Sequence, residues 1–339
     1  MRVFLLVFLI LSAQAFAQKE PVLLFSQTEL ISSSDPVSIV QFASDWQGKF
    51  KGGDFAFLDG RFNTGVAYQN FSLAYENRWY AGLRFNEDSA RFYYNTQNNI
   101  KTNQTYLLNV QVQMLEAEGL NFSRIFKEGG LEIEPTAHWY QTHAYQLGSV
   151  HGNVTDQNGL SASAEVDYHY HQDKLLDDPN TGKAGYGGAL DLRLSYAYKN
   201  WLWGAIFRDL WNYWYFPEAG YTYGCLNFQG KHPVCDSNTQ NYSIPEPTHT
   251  RLPMTFLGSV KYQPYLLELR FYEHSRFQRW SLAKDWSSAI GLVGVSAHST
   301  QEFGVHWRSH WHELSVMSDA LEVEKAHNFS AKLALSWAF

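Results

Sequence analysis

The stretch that decides the fold is NFSAKLALSWAF, residues 328–339. Taken two residues at a time, one face carries Phe329, Ala331, Leu333, Leu335, Trp337 and Phe339. The other carries Ser330, Lys332, Ala334, Ser336 and Ala338. A period of two is that of a β-strand, with one greasy face and one small or polar face. Such a strand can close a soluble core or face a membrane, and the rest of the chain must decide which.

The other end narrows the choice. MRVFLLVFLILSAQAFAQ, residues 1–18, has a positive charge at Arg2, an apolar run over residues 3–11, and the small-x-small site Ala15-Phe16-Ala17. This is the pattern of an export signal, residues 1–17, cut after Ala17. Residues 18–48, with PVLLFSQTELI, form a periplasmic segment or a first strand region, and residues 49–339 form the main body. The net charge of −7 argues against nucleic acid as a partner. Aromatic residues are abundant, with 12 Trp, 21 Tyr and 23 Phe, yet the mean hydropathy is −0.35. After the signal no 18 successive residues are apolar, so no transmembrane helix is expected. Many rings without long apolar runs suit an antiparallel sheet, or a barrel whose two faces meet different media.

From about Phe50 onward the chain reads strand, polar turn, strand. Leu73, Tyr75 and Trp79 alternate with Ala74, Glu76 and Arg78; Tyr106, Leu108, Val110, Val112 and Met114 alternate with Asn109, Gln111 and Gln113. Val166, Tyr168 and Tyr170 oppose Glu165, Asp167, His169 and His171. Leu190, Leu192 and Leu194 oppose Asp191 and Arg193, and Leu267, Leu269 and Phe271 oppose Glu268 and Arg270. Phe303, Val305, Trp307 and Trp311 oppose His306, Arg308, His310 and His312. No apolar stripe of helical period and length is found. SVMSDALEVEKAH, residues 315–327, reads as two strands around a turn. The longest unpatterned stretch is 217–253, which suits a long external loop of a membrane barrel better than a compact soluble domain.

Both soluble and membrane barrels alternate; they differ in which face holds the charge. Here rings crowd the strand ends (Tyr196, Tyr198, Trp201, Trp203, Trp211, Trp214) as they do where hydrocarbon meets headgroups. Acids and bases sit together on the polar faces. A terminal aromatic preceded by alternating apolar positions, here Phe339, Trp337, Leu335, Leu333 and Ala331, resembles the closing strand of Gram-negative outer-membrane β-barrel proteins. The resemblance is at the level of the superfamily and implies an all-β, transmembrane, antiparallel up-and-down barrel of about 12 strands, with 10 to 14 allowed by the length. It also implies location in the outer membrane of a Gram-negative bacterium, with outer-membrane lipid and lipopolysaccharide as surroundings and the barrel-assembly machinery as a partner during biogenesis.

The expected lumen-lining set is Glu76, Arg78, Asp167, His169, His171, Asp191, Arg193, Glu268, Arg270, His306, Arg308, His310 and His312. Arg208 belongs with them, and the small residues Ala334, Ser336 and Ala338 point to a narrow channel or none. All 13 histidines lie at or after His138, and His at i and i+2 share a strand face about 6 to 7 Å apart. Neutral histidines are also comfortable in a wet, charged lumen, so no metal is assigned. His274 and Ser275 point to opposite faces of one strand and cannot serve each other as a dyad. Glu132, Glu134, Asp167 and His169 read equally well as ion pairs. The glycines of GGLEIE and GYGGAL fit turns, and no cofactor is expected. Cys225 and Cys235 are close enough in an exported chain to form a disulfide that staples one loop. The function these readings favour is a passive channel for small polar or charged solutes, with no enzyme expected. The alternatives are a structural or adhesive surface protein acting through its external loops, and an outer-membrane lipid hydrolase or protease.

Overall fold

The computed structural model describes residues 21–44, 46–156, 160–172, 181–227, 242–243 and 245–339. The export signal expected at residues 1–17 lies outside them. The chain forms a closed antiparallel barrel of 14 strands, each paired with its neighbours in the sequence. They are β1 (Leu23–Ser34), β2 (Phe55–Tyr68), β3 (Phe71–Phe85), β4 (Thr105–Arg124) and β5 (Leu131–Asp156). Strand β6 runs in two pieces, Leu160–Tyr170 and Tyr186–Tyr198, and is followed by β7 (Trp201–Asn227). Strand β8 is also broken, into Glu246–Thr250 and Thr255–Tyr262. Then come β9 (Leu267–His274), β10 (Phe277–Ser288), β11 (Gly291–His298), β12 (Phe303–Arg308), β13 (His312–Ser318) and β14 (Asn328–Ala338).

Closure falls on the stretch that opened the sequence reading. Strand β14 pairs with β1 from Leu23↔Ala338 to Ser33↔Asn328. Val22 and Phe339 exchange backbone bonds of 3.1 and 3.0 Å at the seam. Among the described strands the sheet therefore has no open edge, and its ladder bonds are made without help from solvent.

The strand count is 14, within the expected 10 to 14 around about 12, and residues 23–34 of the N-terminal segment are a wall strand. The stretch 217–253 is not one long loop: residues 217–227 continue β7, and residues 246–250 pair back on it. Its prolines obscured the pattern, because Pro217 and Pro247 sit where the β7–β8 register slips between Glu246 and Thr248. A bulge is where a residue without an N–H is tolerated. Cys225 lies in β7 opposite Glu165; Cys235, and with it the expected disulfide, lies outside the described residues.

Two helices also appear, α1 (Ile39–Phe42) and α2 (Glu87–Gln97). The longer one has an Asn86 N-cap accepting from Ser89 N at 3.0 Å and acids in its first turn, both favourable there. It escaped notice because it buries only Ser89 and Ala90 and so carries no apolar stripe. Both helices belong to long connections at one end of the barrel, where Val37, Trp46, Ala56, Phe85 and Ala90 pack together. The opposite end has short turns, with Val22 and Phe339 beside them. Residues 315–327 form the end of β13, a single 3-10 turn and the approach to β14, as the sequence reading has it.

The two faces of β3 settle the medium. Leu73 and Trp79 are 47% and 41% exposed, while Glu76 and Arg78 are 0% and 1% exposed. Leu120, Phe122, Leu190, Leu269, Leu282 and Leu333 are exposed in the same way. Apolar residues face outward and charges inward, the reverse of a soluble barrel. Exposed rings form two levels, Tyr196, Tyr198, Trp201, Trp203 and Trp337 near the short turns, and Trp79, Trp139, Tyr186, Trp211 and Trp280 farther up. From Trp201 to Trp211 the strand climbs about 25 Å at the usual rise and barrel tilt, the height of a membrane belt. Among the described residues no helix is long and apolar enough to cross a membrane. A charge placed midway between the two rings of aromatics should thus be costly. Leu282→Arg is expected to lower unfolding free energy in vesicles by about 2–4 kcal/mol, against about 0–1 for Ile290→Arg at the short-turn edge; urea titrations of the two variants check the difference.

Candidate functional site in the barrel lumen

Inside the barrel at mid-height, Arg61 of β2 and Arg78 of β3 reach across to β6 and β7. Arg78 donates two bonds to Asp209, of 2.7 and 2.6 Å. Arg61 donates to Asp191 at 2.8 Å and to Asp209 at 2.9 Å. Glu76 accepts from Tyr140 at 2.8 Å and from Asn121 at 2.9 Å. His138 lies between two carboxylates, with Nδ1 2.8 Å from Glu76 and Nε2 3.3 Å from Asp191. These charges are almost wholly withdrawn from solvent, a state that is tolerable only when each is matched by opposite charge in good geometry.

A local irregularity makes the arrangement possible. Asp209 has a positive φ of 54°, and the β6–β7 register shifts between Leu190 and Leu192. The bulge turns Asp209 inward and lets its N–H donate to Asp191 at 2.7 Å. Next to this cluster Trp214 stacks on Tyr140 at 4.9 Å, and Phe216 on Tyr145 at 4.0 Å. Leu252 enters through the break in β8, held by two backbone bonds to the Asn212 amide of 2.9 and 2.7 Å. Together these side chains fill the half of the lumen bounded by β3 to β7.

The other half holds a cavity of about 340 Å³. Its walls carry Arg193, Arg208, Arg270, Arg279, Arg308 and Lys332 against Glu29, Glu268 and Glu313. Arg208 pairs with Glu29 at 2.6 Å, Arg270 with Glu268 at 2.8 Å, and Lys332 and Arg308 share Glu313 at 2.9 and 3.0 Å. His306 bonds to Asp285, which also accepts from Lys261 at 2.6 Å. The pair sits over Gly294, where a Cβ would lie 2.2 Å from His306 and 2.4 Å from Asp285. Toward the short turns, Arg193 and Arg308 are about half exposed. Toward the long loops the cavity is roofed by Ile31, Phe55, Phe57 and Tyr272, with Arg279 held by Glu302 at 2.7 Å. Phe57 stacks on His274 from the opposite wall at 4.8 Å. Arg276 to Asp54, 2.6 Å, and Arg84 to Ser275, 2.7 Å, tie the same two sides at the mouth.

Of the residues expected in the lumen, Glu76, Arg78 and Asp191 lie in the mid-height cluster. Arg193, Glu268, Arg270, His306 and Arg308 line the cavity. Asp167 and His169 sit higher, on the tall part of the wall, where His169 is 2.8 Å from Glu246. His171 follows the first piece of β6 and lies beside Tyr145. His310 and His312 do not share the lumen face of His306. Residues 309–311 form the hairpin turn, His310 rests edge-on against Trp311, and His312 stacks on the outward Trp307 at 5.8 Å.

The sequence reading missed Arg61, Asp209, Glu29, Glu313 and Asp285. Alternation around FLDGRFN would have placed Asp59 and Arg61 inside. Nothing comparable marks Asp209, since strict alternation sends Arg208 and Asp209 to opposite faces and only the bulge brings both inward. Among the described residues no group of three or more His, Cys, Asp or Glu is arranged to hold a metal. His274 contacts Thr255 at 2.7 Å and Tyr80 at 3.4 Å, whereas Ser275 turns to Arg84.

The class these features define is the membrane β-barrel of the outer-membrane type. Among solved structures the chain is similar to the toluene transporter TodX of P. putida, at 10% identity and a TM-score of 0.46, over 97% of this chain and 92% of that one. It is similar also to the outer-membrane protease OmpT of Escherichia coli, at 10% identity and a TM-score of 0.24, over 94% and 95% of the two chains. For OccAB2 of Acinetobacter baumannii the values are 9%, 0.14, 95% and 98%. At these identities and TM-scores nothing carries over from them, and the barrel rests on this chain's own strand pairing. No protein-family model matches the chain, and no curated protein matches it.

Asp209 holds two buried arginines at once. Asp209→Asn is therefore expected to cost about 3–5 kcal/mol, as for other buried pairs that lose one partner. Urea unfolding of the two proteins from vesicles of one composition measures it.

Proposed function

We propose that the protein is an outer-membrane barrel of a Gram-negative bacterium that acts as a narrow passive channel for small polar or charged solutes. The export signal expected at the N-terminus and the outward apolar belt support the location. The observation that carries the function is the basic cavity. A lumen needed only for stability would be filled on both sides, yet one side keeps a space with more cations than carboxylates on its wall. Arginines in a narrow lumen favour anions by field and by bidentate donation. Arg193 and Arg308 form the entrance at the short-turn end, and the Phe57–Tyr272 roof is the constriction. Solute passes only as those rings move aside, so conductance is small.

Planar-bilayer recordings of the refolded full chain test this. Discrete small steps are expected, with a reversal potential under a salt gradient that favours anions. Arg270→Gln with Arg308→Gln should shift that potential toward cations, and Phe57→Ala should enlarge the steps. Protein that is folded and inserted, as shown by protease protection, but never conducts would overturn the reading and favour a surface role for the long loops.

A further inference from the structure

One part of the outer wall breaks the rule that lipid-facing residues are apolar. On the outward face of β1 to β5, at the level of the upper ring of aromatics, lies a hollow of about 660 Å³. Leu30, Leu58, Trp79 and Met114 supply its apolar surface, and Glu116 and His143 its polar side. Glu116 stands opposite Trp79 in the β3–β4 register and is exposed, with no hydrogen bond or ion pair among the described residues. One outward position nearer the short turns, Glu118 accepts from the Tyr75 hydroxyl and lies 3.0 Å from His143 Nε2.

The backbone explains why the wall is dented there. The β4–β5 register slips between Glu116 and Ala117, which makes His143 the extra residue of a bulge. On the other side of β5, strand β6 is broken between Tyr170 and Tyr186. The Thr142 N–H is taken by Gly185 O at 2.9 Å, and His171 N–H by Tyr145 O at 3.0 Å, in place of a regular ladder. Behind the dent Tyr80, Leu115 and Tyr145 face the filled half of the lumen.

A carboxylate without a partner at the edge of hydrocarbon is expensive unless a cation meets it. Two carboxylates at this spot repel a headgroup of net negative charge. An ammonium has the matching charge, while Trp79 lays its ring over Gly60 beside Leu30 and so adds to the apolar floor next to Glu116. We propose that this hollow is a binding site for an amine-bearing phospholipid, its ammonium at Glu116 and its acyl chain over Leu30, Leu58 and Met114. The site is separate from the lumen and independent of whether the barrel conducts.

Native mass spectrometry of the full chain in detergent tests it, with dioleoylphosphatidylethanolamine or dioleoylphosphatidylglycerol added at equal concentration. The parent protein is expected to retain the ethanolamine lipid about tenfold better, a difference that one well-placed charge contact supplies. Glu116→Gln should remove that preference while leaving the heat-modifiable migration of the folded barrel unchanged. Equal retention of the two lipids by the parent chain overturns the proposal without reliance on any variant. So does a Glu116→Gln protein that keeps the preference, or a dimer of chains that forms in place of lipid adducts.

Discussion

A backbone amide in hydrocarbon has no water to turn to, and every feature of this barrel follows from that constraint. Fourteen strands are usable only if the last finds the first, and the β1–β14 pairing supplies eleven consecutive partners for that purpose. Once the sheet is closed, each strand has one face in lipid and one inside. The period of two then forces every charge on a strand to choose, and lipid drives nearly all of them inward. What fills the lumen is therefore a consequence of what surrounds the wall.

Inward charges meet a second limit. An unpaired ion removed from water costs several kcal/mol even after relaxation, so the interior must either match charges or keep them wet. Both solutions occur side by side. Between β2, β3, β6 and β7 the ions are dry and matched, with Asp209 serving Arg61 and Arg78 together. Between β9 and β14 they are also paired, but along the walls of an open space, so their unused donors face the cavity. The first arrangement binds the two sides of the barrel to each other; the second leaves room for a solute.

The alternation of Leu73, Trp79, Leu269 and Leu333 with Ala74, Glu76, Arg270 and Lys332 was enough to read the sheet, its medium and some of the charged cavity residues, Arg193, Arg208, Glu268, Arg270, His306 and Arg308. Reading stopped wherever the backbone departs from alternation. The bulge at Asp209, the slip at Pro217 and Pro247, and the extra residue His143 each shift the parity by one, and side chains beyond them change faces. His310 and His312 were assigned to the lumen by carrying the β12 pattern through what is a hairpin turn. The count of 14 lies at the top of the expected 10 to 14, since β12 and β13 are only 6 and 7 residues long and more strands fit into the same length of chain. Partnership across the lumen, such as that of Arg61 with Asp191, joins residues 130 positions apart and has no local signature at all.

The distribution of sign inside the barrel bears on what the lumen can do. The filled half gathers Asp59, Glu76, Asp191 and Asp209 against two arginines and His138, whereas the cavity wall holds six basic side chains, Arg193, Arg208, Arg270, Arg279, Arg308 and Lys332, against Glu29, Glu268 and Glu313. Acid on one side and base on the other set a field across the lumen instead of along it. Because the acidic side is packed and dry, its excess is spent on its own arginines and on hydrogen bonds from Tyr140 and Asn121. On the basic side each cation also has a carboxylate, Glu134 for Arg193 and Glu302 for Arg279 among them, but Arg193 and Arg308 remain about half exposed at the short-turn end. If the lumen conducts as proposed, a small anion entering there meets donors on one wall and packed side chains on the other and follows the basic wall. The buried cluster thus confines the open part of the lumen to the side that carries the basic residues.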